Sequence, residues 1–119
     1  MNNEKSITIC GKEVKLRYCT AAENGFESLA KKSIGDIDFK KQEDLLMLAI
    51  ASIIAAYKRN DEEPPIDTKE ILYDAKPAEI VELFKATLEA RAAWYEVPTV
   101  LEESIKAEQT GQEEQPKND

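Results

Sequence analysis

Residues 6–19 read Ser6-Ile7-Thr8-Ile9-Cys10-Gly11-Lys12-Glu13-Val14-Lys15-Leu16-Arg17-Tyr18-Cys19. Polar and apolar side chains alternate from Ser6 to Cys10 and again from Glu13 to Cys19, the period of a half-buried strand. Gly11-Lys12 lies between the two runs, and glycine at the first central position suits a type II′ hairpin turn. That turn puts Ile9 opposite Val14 and Ile7 opposite Leu16, on one face with Tyr18. Thr8, Cys10, Glu13, Lys15, Arg17 and Cys19 take the other face. Cys10 then sits by the turn and Cys19 at the far end, roughly 20 Å apart at the rise of a strand, beyond disulfide reach. The outer edges of such a hairpin are unpaired and open to an added strand.

The rest of the chain reads as helices. Thr20-Ala21-Ala22-Glu23 has the form of a capping box, which predicts a helix with Ala22, Phe26, Leu29 and Ala30 as its stripe. The cap at Thr20 is expected to contribute about 1 kcal/mol. Gly25 interrupts the pattern and weakens it. Ser33 to Asp38, with Gly35, reads as a loop. Leu45 to Tyr57 is broken only by Ser52. At thirteen residues it is short of the ~20 a membrane span needs, so it predicts a buried central helix within about 41–59, apolar nearly all round. Its alanines permit close approach of neighbours. Asp67-Thr68-Lys69-Glu70 repeats the capping pattern and opens a short helix through about Tyr73, with Ile71 and Leu72 inward. Pro77 suits the first position of a last helix, whose expected inward stripe is Ile80, Val81, Phe84, Leu88 and Arg91/Ala92. Pro98 ends it near Tyr95.

The expected fold is α+β: an N-terminal β-hairpin and a small bundle of about four helices, one domain over 1–97. Residues 98–119 carry six acids against two bases and form an acidic, mostly disordered tail. Beyond Ala107 nothing apolar repays ordering. Residues 99–107 extend as a frayed helix anchored only by Val100, Leu101 and Ile105.

Composition narrows the chemistry. The 119 residues hold no histidine, which removes the imidazole base and metal ligand. Formal net charge is -8, a poor match to a phosphate backbone, so no nucleic acid partner is expected despite Lys31-Lys32, Lys40-Lys41 and Lys58-Arg59. The two cysteines, far apart, make neither a disulfide framework nor a thiolate metal site. Asp61-Glu62-Glu63 lacks the spacing of a calcium loop and reads as a solvated acidic loop. The carboxylates of Glu79 and Glu82, Glu43 and Asp44, and Glu89 and Glu96 are expected to face water. No serine sits in a nucleophile elbow, and four glycines make no phosphate cradle. No enzyme activity, cofactor or metal is therefore expected. The N-terminus lacks the apolar core of a secretory signal, so the expected location is cytoplasmic, without membrane association. Protein contact remains. Trp94, Tyr95, Phe84 and Tyr57 are the candidate partner-binding residues, large aromatics of the kind that anchor interfaces.

The opening Ile7-Thr8-Ile9-Cys10-Gly11-Lys12-Glu13-Val14-Lys15-Leu16-Arg17-Tyr18 resembles the start of the tail assembly chaperones of long-tailed phages and prophages. That family often begins with an I-x-I-N-G-K-E-x-x-L-R-F hairpin, then a helix with a Phe/Leu stripe. Phe26 and Leu29 match that stripe, Leu45 to Tyr57 the central apolar helix, and Asp67 to Tyr73 the short helix. The likeness covers residues 6–97, and Cys10 stands where the family often has Asn. The resemblance implies a non-enzymatic protein in the bacterial host cytoplasm. It would bind the tape-measure protein, the tail-tube protein or both, keep them soluble before tail assembly, and in some members occur as a frameshifted longer form. The alternative is a small acidic regulatory or inhibitory protein, for instance a nucleic-acid mimic, which needs a regular band of carboxylates on one folded face.

Overall fold

The computed structural model of the chain describes residues 2–95. The order is β1 (Glu4–Ile9), β2 (Lys12–Arg17), α1 (Thr20–Ala30), a 3₁₀ turn (Ile34–Asp36), α2 (Gln42–Lys58), α3 (Thr68–Asp74) and α4 (Pro77–Tyr95). This is an α+β fold, a two-stranded antiparallel hairpin followed by four helices. The tail expected over 98–119 lies outside the described residues.

The hairpin pairs Ile7 with Val14, Ile9 with Lys12 and Lys5 with Leu16. The register expected from a Gly11-Lys12 turn is therefore corrected by two residues. The turn is Cys10-Gly11, both with positive φ (53° and 76°), the type I′ pattern that matches the strands' twist. A shift of two keeps every side chain on its face, so Ile9, Val14, Leu16 and Tyr18 are still fully buried together.

α2 is the centre of the domain. From Leu45 to Tyr57 most of its side chains are buried, and α1, β2 and α4 pack around it. Each large aliphatic side chain taken from water here, such as Leu48, Ile50 and Ile53, contributes about 1.5–3 kcal/mol. Gly25 of α1 lies against Ala51 so closely that a Cβ there would be 3.1 Å from the Ala51 Cβ. The residue that weakens α1 locally is thus the one that lets α1 seat on α2. Ser52 and Thr87, both buried, donate to the carbonyls of Leu48 and Leu83 four residues back, which satisfies their hydroxyls at no cost in packing.

Two expected features differ. The side chain of Thr20 does not cap α1; Cys19 is the cap position and makes no side-chain cap bond. Glu23 instead accepts from the hydroxyl of Tyr18 at 2.7 Å and from that of Tyr95. α4 turns a different face inward from the one expected. Leu83, Ala86, Thr87 and Ala90 are buried, while Val81 and Leu88 are exposed. Alanines at 86 and 90 let α4 approach β1 and α2 closely, which the bulkier stripe would not allow.

The capping box of α3 forms as expected: Glu70 N–H donates to Asp67 Oδ1 at 2.8 Å, and Asp67 N–H to Glu70 Oε1 at 3.2 Å. Asp67→Ala is expected to lower unfolding free energy by about 1 kcal/mol and Thr20→Ala by less than about 0.5 kcal/mol, checked by urea titration.

Candidate functional site

The four aromatic candidates do not converge. Tyr57 is a core residue, a correction to its expected surface role. It is buried, and its hydroxyl accepts from the Lys15 N–H at 3.0 Å, closing one outward position on the β2 edge. Trp94 packs against the core and lines a pocket with Arg17, Cys19, Lys58 and Arg59. Tyr95 is half exposed, its ring tilted against that of Tyr18 with centroids 6.0 Å apart, and its hydroxyl is tied to Glu23. Phe84 lies about ten residues before Trp94 on α4, some 15 Å away along the helix, in a separate groove.

That groove has a volume of about 440 Å³ and lies between α2, α3 and α4, with Leu46, Ile71, Ala75, Ile80, Val81 and Phe84 among its walls. Leu72 and Tyr73, expected inward and terminal on α3, stand at 45% and 79% exposure, and Val81 and Leu88 of α4 at 62% and 39%. Val81, Phe84 and Leu88 are spaced as one helical face. α4 thus carries two apolar faces, one in the core and one toward water. The sequence signal was present in these residues; the error was to send that stripe inward.

The hairpin tip fixes this region. Cys10 N–H donates to Glu79 Oε2 at 3.0 Å, Lys76 N–H to Glu79 Oε1 at 2.9 Å, and Lys12 Nζ to Glu70 Oε2 at 2.8 Å. Glu79, expected to face water, therefore anchors the start of α4 to the turn of the hairpin. Burial and the neighbouring Glu79, Glu70 and Asp74 push the Cys10 thiol up, so it is held as a thiol rather than a nucleophilic thiolate. Both cysteines are free.

In the first turn of α2, Asp44 is 3% exposed. Its Oδ2 accepts from Asp38 N–H and from Lys32 Nζ, each at 2.9 Å, and so closes the loop between α1 and α2. Arg91 lies between the rings of Phe39 (4.6 Å) and Tyr95 (5.0 Å), its Nε buried and without a hydrogen-bond partner among the described residues. Burial, and then the bond to Glu23, push the Tyr18 hydroxyl well above the ordinary tyrosine range, which keeps it a donor. These polar groups hold the fold together; none pairs a nucleophile with a base in a cleft. Among the described residues no group of three or more Cys, Asp or Glu could hold a metal ion, and no helix is long and apolar enough to cross a membrane.

Comparison with protein-family models, curated proteins and solved structures found no match to the chain.

The Asp38 amide, with Lys32 next, holds the Asp44 carboxyl below the ordinary aspartate range. A carboxylate depressed in the fold stabilises it fully above its unfolded pKa of about 3.9, and that contribution is lost as pH falls through the lower folded value. Asp44→Asn is expected to melt below wild type at pH 7, with the gap closing below about pH 4. Melting both chains across that range checks it; a gap independent of pH would refute the assignment.

Proposed function

We propose that this protein is a non-enzymatic assembly chaperone or adaptor that holds an apolar segment of a protein partner in the groove between α2, α3 and α4. The observation that carries this is the second apolar face of α4, Val81, Phe84 and Leu88, whose Val81 and Phe84 line a groove with the exposed Leu72 of α3. Exposed apolar surface around a groove is characteristic of protein docking, and a groove between helices accepts an amphipathic helix through anchors three and four residues apart. Phe84 is the partner-binding aromatic of this groove.

The resemblance of residues 6–97 to phage tail assembly chaperones supports naming the partner class: a tape-measure or tail-tube protein, kept soluble in the cytoplasm of a bacterial host until assembly. Cys10 departs from the Asn of that pattern. It occupies a left-handed turn position (φ 53°) that Asn adopts readily, so the departure is compatible with the same hairpin. The net charge of -8 favours solubility of the loaded complex. Glu4, Asp44, Glu63 and Glu70 are each paired with a lysine or arginine, which neutralises part of the acidic surface that a mimic would present.

The test is affinity capture of the tagged full chain expressed with the genes that flank it, using wild type and Val81→Asp/Leu88→Asp. Wild type is expected to recover a long helical tape-measure-like or tube protein. The double variant, altered only at exposed positions, should keep its melting temperature within a few degrees yet lose recovery by about tenfold or more, the effect of removing about 1.4 kcal/mol. Recovery unchanged by the variant, or recovery of a nuclease or regulator instead, would overturn the proposal.

A further inference from the structure

A second apolar surface lies between α1 and α2 and shares no lining residue with the α2–α3–α4 groove. The two helices run antiparallel. Ala21 at the start of α1 lies with Ala55 and Lys58 at the end of α2, and Leu29 near the end of α1 lies with Glu43 and Met47 at the start of α2. Between these ends is a groove of about 280 Å³, with Gly25, Ser28, Ala51 and Ile54 among its walls. Leu29 and Ile54 are exposed.

Glu43, Met47, Ala51, Ile54 and Lys58 recur at intervals of three or four residues and so form one stripe along α2. The stripe has an acid at its start, a base at its end and apolar side chains between. Glu43 and Met47 line the pocket at one end of the face; Ala51, Ile54 and Lys58 line the groove toward the other. A two-fold axis crossing the stripe between Ile50 and Ala51 puts Glu43 of one copy opposite Lys58 of a second. The same axis puts Met47 opposite Ile54. The small side chain of Ala51 lies at the axis, where two α2 helices come nearest. One symmetry operation therefore matches both the charges and the apolar side chains, which is the self-complementarity an isologous interface requires.

We infer that two copies of this chain associate through the α1–α2 face, with their α2 helices antiparallel about that axis. Ile54 of each copy seats beside Met47 and Leu29 of the other. Lys58 turns from Glu63, a largely exposed pair and a weak one, to Glu43 of the other copy. Lys32 at that end is already bonded to Asp44; Lys41, which also lines it, is a like charge that holds affinity down. The stripe from Glu43 to Lys58 is about 22 Å long. Two helices packed about 10 Å apart make a face on the order of 20 Å wide, so the footprint on each copy is roughly 450 Å², about half that of a standard interface. The dimer is accordingly weak and reversible. It leaves both α2–α3–α4 grooves open and does not depend on the partner proposed for them.

The test is sedimentation velocity with light scattering on the full chain from about 10 μM to about 1 mM. The average mass is expected to rise across that range from one chain toward two. Ile54→Asp, at an exposed position, should keep its melting temperature within a few degrees and raise the dimer Kd by about tenfold or more. Glu43→Lys and Lys58→Glu should each raise it by about threefold or more, and the two together should return it to within about twofold of wild type. Loss of fold cannot produce that rescue. Val81→Asp/Leu88→Asp should leave the Kd unchanged. A chain monomeric at about 1 mM, a dimer indifferent to Ile54→Asp, or a double charge reversal without rescue would overturn the inference. So would Leu29 and Ile54 methyl resonances equally protected at every concentration, since those place another segment of the same chain on this face.

Discussion

An α-helix that is apolar nearly all round must be surrounded, and α2 is such a helix. From Leu45 to Tyr57 it offers no polar stripe to water, so one neighbour cannot bury it. α1, β2 and α4 each take a side, and their own sequences answer this demand. Gly25 lets α1 close onto Ala51. Ala86 and Ala90 let α4 come in against α2 and the hairpin. The hairpin brings Ile9, Val14, Leu16 and Tyr18 as a flat apolar face. An isolated two-stranded hairpin is marginal in water; here it is held because α2 and α4 need that face covered.

The element order, the face of each strand, the central helix and the Asp67 capping box were all legible in the sequence, because each rests on a local period or a short-range bond. The hairpin register was not. Alternation fixes faces but is blind to a slip of two residues, and the turn was decided by Cys10 accepting a positive φ, which cysteine seldom does. Thr20 and Glu23 show the same limit. Their spacing suits a capping box, but Glu23 is drawn to Tyr18 and Tyr95, partners that only the assembled fold supplies.

The candidate site was legible in its residues and illegible in its direction. Ile80, Val81, Phe84 and Leu88 form a genuine helical stripe, and the usual inference sends such a stripe to the core. α4 has a second set, Leu83, Ala86, Thr87 and Ala90, that buries better because it is smaller. Periodicity cannot rank two faces of one helix; closeness of approach does. Val81 and Leu88 were thus assigned to the core for a sound local reason, while Phe84 stood both in that stripe and among the candidate partner-binding residues. Among the aromatics the converse happened: Tyr57 looked like a surface anchor and is consumed by the core, where its hydroxyl serves the edge of β2.

The polar interior bears on function by what it is used for. Asp44 closes a loop, Glu79 ties helix to hairpin, Glu27 accepts from Ile34 N–H, and Glu23 collects two tyrosine hydroxyls. Each of these carboxylates accepts from a donor of the fold, so its oxygens hold a loop, a turn or a tyrosine in place. The exposed large apolar side chains among the described residues include Val81 and Leu88 on α4, Leu72 and Tyr73 on α3, and Leu29 and Ile54 beside the α1–α2 groove. In the proposed reading, such exposed apolar surface takes up an apolar partner helix by burial.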